Sequence, residues 1–204
     1  MARPREFDEQ QVLEAAGDAF WANGFEATST RDLVKCTGLT QPSLYNAFGD
    51  KRGLFLRALE HYLERTLHER IARLESSQTP GHAIAAFFGE IVDRSVADAR
   101  HRGCMLVNAA VESTPGDEAC RQGIAGELAQ IQAFFQRCME AGQASGEVPK
   151  VLPAADAGAH LLAVLLGVRV LARVRPERAL LTGAVSPALS LLGLPPLPVA
   201  AGTA

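Results

Sequence analysis

Between Ser29 and Gly49 the chain carries start and stop signals for two helices, each barely two turns long. Helices this short are marginal alone in water, so whatever fold the chain adopts must brace them against something larger. Ser29-Thr-Arg-Asp32 resembles a capping box with Asp in place of the longer Glu, and Gly38 supplies the left-handed residue that ends the first helix. The second opens at Thr40. Leu39 before the cap and Leu44 in the second turn form a hydrophobic staple, while Pro42 lies in the first turn, where a missing N–H costs nothing. Leu44 and Phe48 are one turn apart and face inward, which leaves Gln41, Ser43, Tyr45 and Asn46 over the outer faces.

The brace is the preceding segment. Phe7 stands before Asp8 as N-cap, Val12, Ala15, Ala16, Ala19 and Phe20 form an inner face at helical spacing, and Gly24 stops the helix. From residue 50 to about 75 a long helix carries Phe55, Ala58, Leu59, Tyr62 and Thr66 as a stripe, and the Ser-Ser-Gln-Thr-Pro-Gly run at 76–81 breaks it. Further helices follow at about 82–99, from Gly103-Cys104, at 117–144, at 154–174 and at 176–192. The reading is an all-α chain of about nine helices. A three-helix unit at 1–49 leads through a connecting helix and hinge at 50–79 into a larger helical unit at 80–192. The Pro-rich 193–204 cannot hold a helix and reads as a loose tail.

With 204 residues and 48% hydrophobic content the chain can bury an ample core, which excludes a disordered or fibrous class. Cys36, Cys104, Cys120 and Cys138 lack metal-ligand spacing, and the Met-Ala-Arg-Pro-Arg start leads into no apolar signal core, so free thiols in a cytoplasmic protein are expected. The apolar run at 157–168 is shorter than the roughly 20 residues that span a bilayer and reads as a buried helix. No nucleophile with a base, phosphate-cradling loop or metal cluster is evident, so no catalysis and no cofactor are expected. Glu60, His61, Glu64 and His68 read as a solvated, ion-paired helix face.

Net charge is −3, so a nucleic-acid partner must be argued locally. Two short helices joined by Gly38-Leu39 and braced by a third make a helix-turn-helix, whose second member enters the DNA major groove. No acidic residue occurs between Lys35 and Gly49, which removes repulsion from phosphates. Gln41 and Asn46 can pair with adenine edges, Ser43 permits close approach, Tyr45 can donate to a phosphate and Lys51 can clamp one. Ser29, Thr40 and Pro42 complete this surface at the two helix starts, and Arg3 and Arg5 could reach an adjacent groove as an arm.

Residues 7 to 60, with "AFWANGFEATSTRDLVKCTGLTQPSLYNAFGDKRGLFLRAL" at their centre, resemble the DNA-binding domain of the TetR/AcrR family of bacterial transcriptional regulators. "RGCMLVNAAVE", residues 102–112, further resembles a subgroup with a Gly-Cys-Leu-like turn in the sensor domain. Departures from the family pattern fall at Cys36-Thr37, Pro42 and Asn46-Ala47, so the operator sequence cannot be carried over. The resemblance implies a repressor that binds a near-palindromic double-stranded operator as a homodimer, paired through the helices at 154–174 and 176–192. It also implies a small-molecule effector held between the long helices. Candidate lining residues are Phe87, Phe88, Ile91, Met105, Asn108, Phe134, Phe135 and Met139, and for each aromatic or Met core packing is the competing reading. Cys104 is either a thiol made reactive at a helix start or a small buried residue, while Cys36, Cys120 and Cys138 are expected to be structural. The competing function is a small-molecule-binding helical module without sequence-specific DNA binding.

Overall fold

The computed structural model describes residues 7–198, and no strand occurs among them. The helices start where their caps are. Asp8 accepts hydrogen bonds from the N–H groups of Gln10 and Gln11 to open α1 (Glu9–Asn23), and Gly24 follows its last residue. Ser29 and Asp32 form the reciprocal capping box of α2 (Thr30–Thr37), closed by Gly38 at φ 71°. Thr40 caps α3 (Gln41–Phe48), and Asp50 caps α4 (Lys51–Leu63). α1 packs on α4 and α2, and α3 packs on α4. Val12, Ala16, Phe20, Leu33, Leu44 and Phe55 are buried where these helices meet, which is the bracing that the two short helices require.

α4 continues without a break through a five-residue π-helical segment, Glu64–His68, into α5 (Glu69–Ser77). The sequence pattern predicts a plain α-helix here, and the difference has a physical origin. Phe55, Leu59, Leu63, Leu67 and Ile71 are all buried and stand four residues apart. At about 100° per residue, each step of four overshoots a full turn by about 40°, so a straight α-helix would carry the later residues off the buried side. The wider π turn takes back part of that drift.

The larger unit contains α6 (Pro80–Ala97), α7 (Met105–Glu112), α8 (Glu118–Ser145), α9 (Ala154–Val174) and α10 (Arg178–Leu191). Counting the α4 to α5 rod once gives nine helices among the described residues. α8 and α9 form the most extensive helix pair, drawn close by Gly158, where a Cβ would stand 3.2 Å from the Gln132 carbonyl oxygen. Phe87, Phe88, Phe134 and Phe135 form a four-ring cluster beneath them, with Phe88 and Phe135 stacked at 5.5 Å between centroids. By length and composition the 21-residue α9 could cross a membrane, but it packs against α6, α8 and α10 as a core helix does. The expectation of a loose tail is corrected for 193–198: this stretch is non-helical but docked. Leu194 is only 6% exposed, and Pro195 and Pro198 lie over Gly81 and Gly89.

Candidate nucleic-acid interface and adjoining cavities

α3 presents Gln41, Pro42 and Asn46 to solvent, with Leu44 and Phe48 turned into the core. The Thr40 hydroxyl oxygen accepts from the Ser43 N–H at 3.3 Å and lies 2.9 Å from the Ser43 hydroxyl, so both side chains belong to the cap. The Tyr45 hydroxyl is 2.6 Å from that of Thr30, which ties the exposed side of α3 to the first turn of α2 and fixes their relative orientation. Ser29 is occupied by its own capping box, and hydrogen bonds from its hydroxyl and N–H hold the Asp32 carboxyl below the usual carboxylate range. Lys51 Nζ donates to the Glu26 carbonyl at 3.3 Å and sits 4.5 Å above the Phe25 ring. Its charge is therefore fastened at the turn between α1 and α2. Arg31 and Lys35, four residues apart on α2, are exposed beside this surface. The expected arm of Arg3 and Arg5 lies outside the described residues.

Three contacts bind this N-terminal unit to the rest. The Phe25 N–H donates to Glu112 Oε2 at 2.7 Å, and the same carboxylate lies so close to Gly24 that a Cβ there would stand 2.5 Å from it. Arg52 pairs with Asp117 at 3.0 Å. The Arg102 guanidinium stacks 3.7 Å from the Trp21 ring and pairs with Asp18 at 3.3 Å. The end of α7, the start of α8 and the loop before α7 thus each hold one point of α1, its following turn or α4.

Behind these contacts lies a cavity of about 50 Å³ enclosed mainly by apolar side chains, among them Leu63, Leu67, Phe87, Ile91, Leu106 and Ile131. A larger chamber of about 370 Å³ adjoins it on the side of Trp21, and the two share Tyr62, Thr66, Arg94 and Arg169 in their walls. Cys104 is the N-cap residue of α7 and lines the smaller cavity, against Arg169 and Tyr62. Burial pushes the Tyr62 hydroxyl up to about 12, so it stays neutral. Cys138 is likewise pushed up to about 12 by burial, and Cys120 is raised by burial and by Asp117. Cys36, expected to be structural, is exposed on α2 with its Sγ directed at the Leu33 carbonyl.

Comparison with known proteins converges on this architecture. The family model described as "Bacterial regulatory proteins, tetR family" matches residues 12–58, and "Tetracyclin repressor-like, C-terminal domain" matches residues 80–186. The chain belongs to the TetR family. Among its relatives, the uncharacterized HTH-type transcriptional regulator YezE of Bacillus subtilis is 34% identical over 151 residues, covering 72% of this chain and 78% of YezE. The HTH-type transcriptional repressor ComR of Escherichia coli is 29% identical over 172 residues, 84% of this chain and 82% of ComR. A solved structure of the TetR family regulator CifR, a cysteine mutant complexed with 26-base-pair operator DNA, superposes with a TM-score of 0.82. It is 34% identical and covers 92% of this chain and 98% of that one.

Within this TetR-family chain the expected effector residues fall into three sets. Phe87, Ile91 and Cys104 line the smaller cavity. Phe88, Phe134, Phe135, Met105 and Met139 do not; they are fully packed core, as the competing reading of an aromatic and Met stripe has it. Asn108 serves the backbone, its Nδ2 donating to the Arg102 carbonyl at 2.9 Å. The sequence reading missed Arg94, Arg169, Tyr62, Thr66 and Trp21 as cavity residues, and Glu112 as the link to the N-terminal unit. Arginines within apolar helices were the available signal: Arg169 interrupts the Leu161 to Leu171 stretch of α9.

Proposed function

We propose that this chain is a ligand-responsive DNA-binding transcriptional regulator, acting as a repressor that leaves its operator when a small molecule or thiol modification alters the larger unit. The observation that carries this is α3: a capped helix offering Gln41 and Asn46 to solvent, with no acidic residue from Lys35 to Gly49 and with Arg31, Lys35 and Lys51 around it. Relatives bearing the name repressor, and the CifR complex with operator DNA, support the same reading. Two copies would pair through α9 and α10, where Val170 is 49%, Val174 74% and Leu191 72% exposed. Arg52–Asp117, Glu112–Phe25 and Arg102–Trp21 would carry the response, because α7 and the segments on either side of it supply all three anchor points of the N-terminal unit. Cys104 would serve as the modifiable thiol, since it is half-buried at the start of α7, beside Arg169, and lines the smaller cavity.

The test is a gel shift of the purified protein on the DNA upstream of its own gene, read at several salt concentrations. The expected result is a sequence-specific complex whose affinity falls steeply with salt. Arg31→Ala and Lys35→Ala should weaken it on all sequences and flatten the salt slope by about one contact each, whereas Gln41→Ala changes base preference. Absence of a specific complex at any salt would leave the second reading, a small-molecule-binding module.

A further inference from the structure

Arg169 is enclosed between α9 and the helices that face it, and no carboxylate pairs with it among the described residues. Its guanidinium donates to the Ser95 hydroxyl at 3.2 Å and to the Gly103 carbonyl at 3.3 Å, and it also interacts with the Cys104 thiol and the Tyr62 hydroxyl. A partly buried cation without a counter-charge is a place where an anion lowers the cost of desolvation. Arg94, which shares the same wall, has no ion pair among the described residues either. Arg70, the third arginine of the smaller cavity, is neutralised by Glu90 at 3.0 Å, and no acidic side chain lines that cavity. Trp21 also lines the larger chamber, and its Nε1–H is buried with no acceptor among the described residues. Arg169, the exposed Arg94 and Trp21 thus line one chamber, whose acidic lining residue Asp98 is paired with Arg102 at 3.3 Å, and an apolar cavity opens beside it.

We infer that the effector is a small organic monocarboxylate, its carboxylate held between Arg169 and Arg94 within reach of Trp21, and its apolar end in the cavity beside Phe87 and Ile91. The inference rests on the regulator reading and names the class of ligand that this regulator senses. It also gives that ligand a route to α3, since Trp21 belongs to α1 and stacks on Arg102. A carboxylate drawn to Trp21 competes directly with the contact that holds α1 against the larger unit.

Trp21 is the only tryptophan, so its fluorescence reports on the chamber without labelling. The full-length protein is titrated with butyrate, hexanoate and benzoate and with the matched amides, and operator binding is measured on the same preparation by gel shift. At least one acid should bind about tenfold or more tightly than its amide, the range for hydrogen bonds to a charged group, and should lower operator affinity. Arg94→Gln, on an exposed side chain, should remove that preference without altering the melting temperature, and Arg169→Gln should do so if it folds. Equal binding of acid and amide, or a preference unchanged in Arg94→Gln, overturns the inference. A protein that binds its operator but none of the acids overturns it while leaving the regulator intact. One that binds the acids and no DNA overturns the regulator reading alone.

Discussion

Replacing Glu112 with Ala removes the hydrogen bond that fastens the turn after α1 to the end of α7. The Phe25 N–H donates to Oε2 at 2.7 Å in a partly buried setting, and its acceptor is a carboxylate. Hydrogen bonds to charged groups are worth about 1.5–3 kcal/mol, and partial exposure places this one near the lower end, about 1.5 kcal/mol. For a chain of this size each kcal/mol moves the melting temperature by roughly 2–4 °C, so the variant should melt roughly 3–6 °C lower. Glu112→Gln keeps an acceptor without the charge and should lose about half as much. Because this contact joins the two units, the Phe25 amide should also exchange with solvent faster in Glu112→Ala, while amides in the α8–α9 core keep their protection. Urea unfolding by circular dichroism and hydrogen exchange measure both effects. A variant within about 0.5 kcal/mol of the parent, with unchanged exchange at Phe25, would refute the reasoning.

Phe135→Ala should destabilise the chain by about 3–5 kcal/mol, since it empties the centre of the four-ring cluster; a loss under about 1 kcal/mol in denaturant unfolding would return Phe135 to the cavity wall. Burial would lower the His68 pKa, but Glu64 and Glu127, each 2.8 Å away, together outweigh burial and raise it above 6.5. A raised value means that His68 contributes stability in full below the unfolded pKa, and that this is lost as pH rises from about 6.5 through the folded value. His68→Ala should flatten that decline in a pH series of melting curves, and an unchanged slope would refute the assignment. Val174→Asp places a charge on the most exposed apolar position of α9 and should shift the protein to monomers in light scattering, with weaker operator binding; an intact dimer would move the interface elsewhere.

The N-terminal unit was legible because its signals are local. Asp8, Ser29, Thr40 and Asp50 each cap the helix that follows by bonding to backbone groups two or three residues on, a relation that a linear sequence displays directly. Cavity walls are not local in that sense. Tyr62, Arg94 and Arg169 come from three helices, and only packing reveals that Glu90 neutralises Arg70 and leaves the other two without a carboxylate. Phe134 and Phe135 illustrate the converse: a helical stripe of rings has the same spacing whether it fills a core or lines a pocket. The π segment lay between these cases: the sequence pattern predicted a helix with Phe55, Ala58, Leu59, Tyr62 and Thr66 as its stripe, whereas the row that packing buries runs Phe55, Leu59, Leu63, Leu67 and Ile71.

That segment sets the angular phase of the rod joining the two halves: over Glu64–His68 each turn takes in more residues than a standard one, so the side that α5 presents is rotated back relative to a uniform helix. A single shaft can therefore keep one covered flank from Phe55, among the N-terminal helices, to Ile71 and Leu74, where α5 packs on α6.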